Sequence, residues 1–398
     1  MVTNQSTLSV MDATQFIVEP SDLWTSRVSA KHKDRAPRVV AMPDGGEGWA
    51  YEGGAWLRPL GLEVCAGRSP LDFRDHGFSY AEIRKGMHDA RERVKDLDAD
   101  EVDAASIFPT YGMDVRNILD ADLHLACVRA YNDGLLEWCQ TGGSKRLLPN
   151  AMMPASGIEA AKAELERVVK LGFRGIIFGG WPAGGDRPQP EVEDAFWGLC
   201  EESGTVISLL KGGPALGNDR SPVAPQRYIG PGAKQVRPAQ ASMEAAWAQS
   251  VNIKNHNLTW IVLTGIPDRF PTLNFSLLDS GAGWLPTCGE LWDWLYRYEQ
   301  FMAFVKLQHM PSIYLKRQVR ATLNWDRHVM DSRREFGPHA LMWSSNYPNN
   351  TSSFPASRRA IEDQTKGISE EERRRIAGEN CAELYGVTPG ARAESRRN

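Results

Sequence analysis

Three stretches decide the fold: LLPNAMM (147–153), RGIIF (174–178) and TVISLL (205–210), separated by SGIEAAKAELERVVKL (156–171) and PEVEDAFWGLCEES (190–203). The first three are short and apolar, the length and composition of strands buried on both faces. The two spacers repeat apolar residues every three or four positions with charges between, the pattern of amphipathic helices. Ser156 with Glu159 three residues later reads as a capping box, and Gly172 ends that helix. Strand, helix, strand, helix, strand in this order builds parallel pairs with helical crossovers.

Working outward, the alternation continues in both directions. Leu8–Phe16 reads as the first strand and Ala104–Phe108 as the second, following the helical run DARERVKDLDADEVD. A helix spans Asp120–Gln140, with Leu123, Cys127, Ala130, Leu135 and Trp138 on one face. Beyond residue 210 come a helix over Ala241–Asn255, the apolar run Leu258–Thr264, and strands at Leu273–Leu278, Arg317–Leu323 and Ala340–Ser345. An aromatic-rich helix is expected over Gly289–Leu307, and two terminal helices over Pro355–Lys366 and Ser369–Tyr385. The eight strands predict an α/β fold, a closed (β/α)8 barrel. A doubly wound open sheet would normally carry a Gly-rich turn after its first strand, and MDATQFIVEP has none.

Two segments exceed the usual βα connection of about 2–6 residues. Residues 17–90, rich in Gly, Pro and Trp (MPDGGEGWAYEGGAW), are expected to form a lid over the catalytic mouth; residues 211–240 form a second long loop there. Residues 8–387 are thus expected to be one barrel with 17–90 inserted, and 388–398 a disordered tail. The 46 Lys and Arg against 50 Asp and Glu, a net charge of −4, argue against a nucleic-acid or anionic-membrane partner. No run approaches ~18 apolar residues, the length a membrane-spanning helix needs. The N-terminus lacks a basic and then apolar signal segment. Six Cys without a CxxC pair suit a reducing compartment, so the expected location is cytoplasmic. The 13 Trp point to aromatic-lined surfaces or a broad apolar pocket.

VMDATQFIVEPSDLWTSRV, RVKDLDADEVDAASIFPT, LACVRAYNDGLLEWC, KLGFRGIIF, DRFPTLNFSLLDSGAGWLP, MWSSNYP and RRRIAGENCAELYG follow one another in this chain. Together they resemble the amidohydrolase-related branch of the amidohydrolase superfamily, the branch of aminocarboxymuconate-semialdehyde decarboxylase and γ-resorcylate decarboxylase. The resemblance implies a (β/α)8 barrel, commonly dimeric, acting on small organic acids around one divalent metal. It places an acid or His and then a His two residues apart on strand one, a His on strand five and an Asp on strand eight.

At those positions this chain has Thr14, Phe16, Leu210 and Asn346, and Asn349 where the motif carries another His. Phe and Leu donate no electron pair to a metal, and Asn is a poor Zn²⁺ ligand. The eight His residues, from His32 to His339, show no strand-end spacing that would replace the set. The expectation is therefore no metal and no cofactor. Asp279, at the end of strand six, is the ionisable residue left among the inward positions and the candidate acid or base; the bland alternative is a cap for the Gly-rich turn after it. Thr14, Phe16, Tyr111, Leu210, Lys211, Asn346 and Asn349 are candidate substrate-binding residues, though the favoured reading of Lys211 is a solvent-facing loop residue. Glu19 and Trp24 are expected to anchor the lid, and the row Trp284, Trp292, Trp294, Tyr296, Tyr298 and Phe301 to pack its helix and a homodimer surface.

Three readings remain open on sequence alone. One is an isomerase, cyclase, dehydratase or other lyase working by metal-independent acid/base chemistry on a hydrophobic small molecule. The second is a non-catalytic binding protein on the same barrel, and the third a metal-dependent hydrolase or decarboxylase with relocated ligands.

Overall fold

The computed structural model describes residues 8–178, 180–185, 187–210, 256–302, 305–323, 325–337 and 339–388. Lys211, the loop 211–240, the helix expected over Ala241–Asn255 and the tail from 389 lie outside these residues.

The eight expected strands form one parallel sheet in a single circuit: β1 (Met11–Ile17), β5 (Ala104–Pro109), β6 (Leu147–Met153), β7 (Gly175–Phe178), β8 (Val206–Leu210), β9 (Phe275–Leu278), β10 (Val319–Leu323) and β11 (Leu341–Trp343). Helices α1 (Ala90–Ala99), α2 (Ala121–Thr141), α3 (Ile158–Lys170) and α4 (Asp194–Ser203) follow β1 and β5 through β7 in turn. The chain then runs through α5 (His256–Leu263), α6 (Ile266–Arg269), α7 (Leu285–Glu299), α8 (Pro311–Gln318), α9 (Val329–Ser332), α10 (Ser357–Gln364), α11 (Glu370–Arg374) and α12 (Asn380–Tyr385). This is the (β/α)8 barrel. Its seam lies between β1 and β11, where Phe16 N–H donates to Tyr347 O at 2.7 Å and Ser345 N–H to the Asp12 carboxylate at 3.0 Å.

The register sets what faces inward. Met11 pairs with Ala104 and Phe16 with Phe108, while Asp12 pairs with Ala105 and Gln15 with Ile107. Ala13 and Thr14 are therefore set against Ser106 alone, a bulge of two residues opposite one. At the base, Cys381, Ala382 and Tyr385 of α12 pack onto Met11, Ala13, Ala104, Val206 and Met342.

Several boundaries differ from the sequence reading. α3 begins at Ile158 with Gly157 as its N-cap at φ 117, and the Ser156 hydroxyl makes no capping bond. The cap position has a backbone conformation that only Gly takes without strain, so the expected Ser156–Glu159 box does not form. Arg317 and Gln318 stay in α8, delaying β10 to Val319. The last helix is split by a π turn at Arg375–Glu379, and its start does carry a capping box, Ser369 with Glu372. The aromatic row divides: Trp292 and Tyr296 are buried, whereas Trp294, Tyr298 and Phe301 are exposed.

Within residues 17–90 lies an antiparallel sheet that the sequence reading did not resolve: β2 (Arg38–Ala41), β3 (Glu47–Tyr51) and β4 (Trp56–Pro59). The turn between β2 and β3 needs Gly46, at φ 75, because a Cβ there would lie 2.5 Å from Phe78 O. Aromatic packing fixes this sheet to the barrel. Trp49 meets Trp24 edge-on at 4.9 Å, and the Tyr51 hydroxyl donates to Tyr111 O at 2.8 Å. Arg58 pairs with both Asp114 and Glu63 at 2.6 Å.

Glu19 anchors the same junction, as expected. Its fully buried carboxylate accepts the N–H groups of Thr110 (3.0 Å), Tyr111 (3.0 Å) and Gly112 (2.8 Å) at the end of β5. Burial pushes its pKa up to about 7, against the lowering effect of those bonds. The unfolded chain releases this proton near ~4.5, so the stabilisation conferred by the bound proton is complete below that pH and is lost as pH rises to about 7. Thermal melts between pH 4.5 and 7 should show this loss, on the order of 3 kcal/mol, and Glu19→Gln should flatten the slope. An unchanged slope in that variant would assign the pH dependence to other groups.

Candidate functional site

Asp279, Asn346 and Asn349 meet beyond the C-terminal ends of β9 and β11, the end of a (β/α)8 barrel where side chains from several strands converge. Asp279 directly follows β9, and Asn346 lies three residues beyond Trp343, the last residue of β11. Asn346 Nδ2 donates to Asp279 Oδ1 at 3.3 Å and to Thr351 Oγ1 at 2.5 Å. Asn349 Nδ2 in turn donates to Asn346 Oδ1 at 3.2 Å. The Asp279 N–H is held by Thr322 Oγ1 at 2.8 Å, and that hydroxyl donates to Leu277 O at 3.0 Å.

Both members of the central pair have left-handed backbones, Asp279 at φ 47 and Asn346 at φ 59. Such conformations cost of order 1 kcal/mol or more for non-Gly residues, least for Asn and Asp, and persist only where surroundings enforce them. Here the enforcing groups are the seam bond from Phe16 to Tyr347, one residue past Asn346, and Thr322 under Asp279.

The turn after Asp279 is capped by a different carboxylate. Asp326 Oδ2, beyond β10, accepts the N–H groups of Ala282 at 2.6 Å and Gly283 at 2.7 Å. A Cβ at Gly281 would lie 2.9 Å from that oxygen, so the Gly-rich turn is shaped to fit Asp326. Asp326 thus caps the Gly-rich turn that follows Asp279. Asp279 itself is half-buried, next to Leu278, whose register partner across the sheet is Leu210.

The other candidates divide. Phe16 is buried with its ring centroid 6.4 Å from that of Phe108, and Thr14 is fully buried in the β1 bulge. Tyr111 belongs to the junction with the β2–β4 sheet: its ring stacks on Trp49 at 6.3 Å and lies under the Arg58 guanidinium at 4.8 Å. Trp24 is tied to α2 through Nε1 to Cys127 O at 3.0 Å, in keeping with an anchoring role. Thr322, Thr351, Phe108 and Asp326 were not singled out from sequence. Thr322 had a usable signal, since it lies on the same strand face as the inward positions. Thr351 had none, because it reaches Asn346 only by the folding back of the loop after β11.

As a metal site this donor set does not fit. It offers one carboxylate, two amides and hydroxyls, with Phe16 and Leu210 at two of the positions where the resemblance requires ligands, whereas Zn²⁺ and Mn²⁺ sites need several anionic or imidazole donors. Among the described residues, no three His, Cys, Asp or Glu side chains are gathered as a metal would require.

A family model described as amidohydrolase matches residues 82–387. No curated protein matches the sequence. Among solved structures, an amidohydrolase from Mycobacterium avium subsp. paratuberculosis K-10 is similar over 96% of this chain and 99% of its own, at 17% identity and a TM-score of 0.72. The 5-carboxyvanillate decarboxylase of Sphingomonas paucimobilis aligns over 96% and 100% of the two chains, with 18% identity and a TM-score of 0.61. A dihydroxybenzoic acid decarboxylase from Polaromonas sp. JS666, with bound manganese and the inhibitor 2-nitroresorcinol, covers 77% and 89% at 19% identity and a TM-score of 0.56. At these identities the likeness is one of fold.

The division of labour between the two carboxylates predicts opposite stability effects. Asp326→Ala leaves two backbone N–H groups unpaired and should cost about 2–4 kcal/mol in chemical denaturation. Asp279→Asn, which keeps the tolerance for a left-handed backbone, should stay within about 1 kcal/mol of the native protein. Equal losses would mean that Asp279 is a structural residue.

Proposed function

The chain belongs to the amidohydrolase family, and from that membership we propose an enzyme that transforms a hydrophobic small organic molecule by acid/base chemistry at Asp279, without the family's divalent metal. The observation that carries this reading is the oriented pair Asp279–Asn346, two strained residues from different strands bonded to each other at 3.3 Å. Strain maintained at a barrel mouth, on a carboxylate relieved of capping by Asp326, is the arrangement expected of a functional group.

In this proposal Asp279 holds and moves the proton, and Asn346 fixes the orientation of its carboxylate. Asn349 and Thr14 offer hydrogen bonds to the substrate, while Phe16 and Leu210 supply apolar walls. Lys211, which follows Leu210 in the sequence, is proposed to meet an anionic group of the substrate. Residues 17–90 act as the lid.

The reaction class follows from what Asp279 can do. A bound metal lowers the pKa of water from about 15.7 to about 7, and the donor set here does not suit one, so hydrolysis of an unactivated amide lacks its activated nucleophile. Isomerisation, cyclisation, dehydration or another lyase step needs positioning and proton transfer only. The decarboxylases of similar fold are consistent with a lyase. The exposed stripe Trp294, Tyr298 and Phe301 on and just after α7 supports a homodimer through that face.

Three measurements test the proposal. Protein purified without chelator should contain no stoichiometric zinc or manganese by mass spectrometry of the metals; a stoichiometric ion overturns metal independence. Candidate acids, lactones and thioesters incubated with the enzyme should yield a product, with turnover falling about 10²–10⁴-fold in Asp279→Asn. Full turnover in that variant would remove Asp279 from the chemistry, and tight ligand capture without product would favour a binding protein. Trp294→Glu with Tyr298→Glu should give a monomer in sedimentation analysis.

A further inference from the structure

Away from the mouth, the flank of the barrel carries a groove of about 410 Å³, a volume within the range of small-molecule sites. Its walls come from residues 66–68, residues 82–87, and Phe354 with Pro355 in the loop after β11. It extends to Ala99, in the last turn of α1. That turn leads to the N-terminal end of β5, so the groove lies along the side of the barrel and not at the strand ends that carry Asp279 and Asn346. Ala66, Met87 and Phe354 give it a buried apolar floor. Gly67, at φ 78, closes on the Phe354 ring, from which a Cβ would lie 3.2 Å.

Charged groups stand around this floor, and most of them are already matched. Arg84 Nε and Nη2 both meet Asp96 Oδ1, at 2.8 and 2.7 Å, and the guanidinium lies 4.8 Å from the Phe354 ring centroid. Asp96 is itself buried, its Oδ2 accepting the Tyr347 hydroxyl at 2.6 Å. Glu82 Oε2 accepts the Ser79 N–H at 3.0 Å and its hydroxyl at 3.1 Å, and Arg74 stands 3.7 Å from Oε1. The bonds from Ser79 hold the Glu82 carboxyl below its ordinary range, so it stays charged opposite Arg74. Arg68 is the cation left over. It donates to Glu82 O at 2.8 Å and lies 4.8 Å from the Phe78 ring centroid. Its near partners are thus a carbonyl and a ring, with the Glu82 carboxylate felt at longer range.

We propose that this groove is a second binding site, separate from the mouth, for a small organic acid whose carboxylate meets Arg68 and whose apolar body lies on Met87 and Phe354. One surplus positive charge beside an apolar floor fits a monoanion with a hydrophobic body. A guanidinium and a carboxylate form charge-assisted, often paired hydrogen bonds. Such a pair contributes little when both groups are fully in water, and an apolar body that displaces water from the groove strengthens it. Arg84, held in place by Asp96, is a second guanidinium at the same groove whose position is set before any ligand arrives, which lowers the cost of binding. Inorganic phosphate supplies the charge without the apolar body and so separates the two contributions. No residue of the groove belongs to the Asp279–Asn346 pair, so this site and the acid/base reading can each fail without the other.

Titration of the full chain with 4-bromobenzoate, in the wild type and in Arg68→Gln, Arg68→Lys and Ala99→Phe, tests the site. Ala99 is exposed, so the new ring fills the groove from the helix surface without entering the core. The wild type should bind at least about tenfold more tightly than Arg68→Gln or Ala99→Phe, with Arg68→Lys between them. Phosphate should bind the wild type at least about tenfold more weakly than 4-bromobenzoate does. In soaked crystals the bromine signal should lie in the groove, with the carboxylate about 2.7–2.9 Å from the Arg68 guanidinium. Absence of binding, or equal affinity in the wild type and Arg68→Gln, overturns the proposal even if Ala99→Phe does not fold. Bromine found at the barrel mouth alone overturns it as well, as do phosphate binding of equal strength and groove occupancy in crystals without binding in solution.

Discussion

Everything at the mouth depends on how the first strand is held against the last. Asp12 is fully buried, and its carboxylate accepts the Ser345 N–H at 3.0 Å, the Thr14 N–H at 3.1 Å and Gln15 Nε2 at 2.9 Å. Burial raises its pKa to about 6, while those bonds pull the other way. A second buried charge braces the same place: Arg93 of α1 donates to Phe16 O at 2.8 Å and Gln15 Oε1 at 3.2 Å, and its guanidinium lies 4.3 Å from the Tyr347 ring centroid. Charged groups in low dielectric are tolerated only when their hydrogen-bonding capacity is met, which gives the seam one arrangement and little slack. That arrangement brings Thr14 and Phe16 alongside Asn346.

The consequence is a site assembled from residues that no single segment could position. Asp279 and Asn346 lie 67 positions apart, and each has a backbone conformation that its own sequence disfavours. Thr322, Asp326 and the seam hold them there. Asp326 accepts the N–H groups of the turn, while Asp279 faces Asn346.

Much of the fold was legible because buried strands and amphipathic helices leave different periods in a sequence. All eight barrel strands were found, the strand ends shifting by up to three residues, as with Leu8 against Met11. The sheet β2–β4 was missed because its strands are four or five residues long and their Trp and Tyr side chains are buried against the barrel, which no local pattern reports. Ser156 was misread as a cap because a capping motif says nothing about which residue must turn the chain; Gly157 does so at φ 117. In the site, Asp279 and Asn346 could be picked out by position, but Tyr111 was expected in the pocket and is packed beneath Arg58 and Trp49.

Sequence alone therefore determined the barrel and the order of its strands, since these are properties of period and residue type, while the family resemblance singled out Thr14, Phe16, Leu210 and Asn346 as positions to inspect. Only the tertiary structure decided which carboxylate caps the turn and which aromatic side chains hold the β2–β4 sheet. Those outcomes depend on distances between groups far apart in the chain, and a hydrogen bond or a ring contact exists only at a distance.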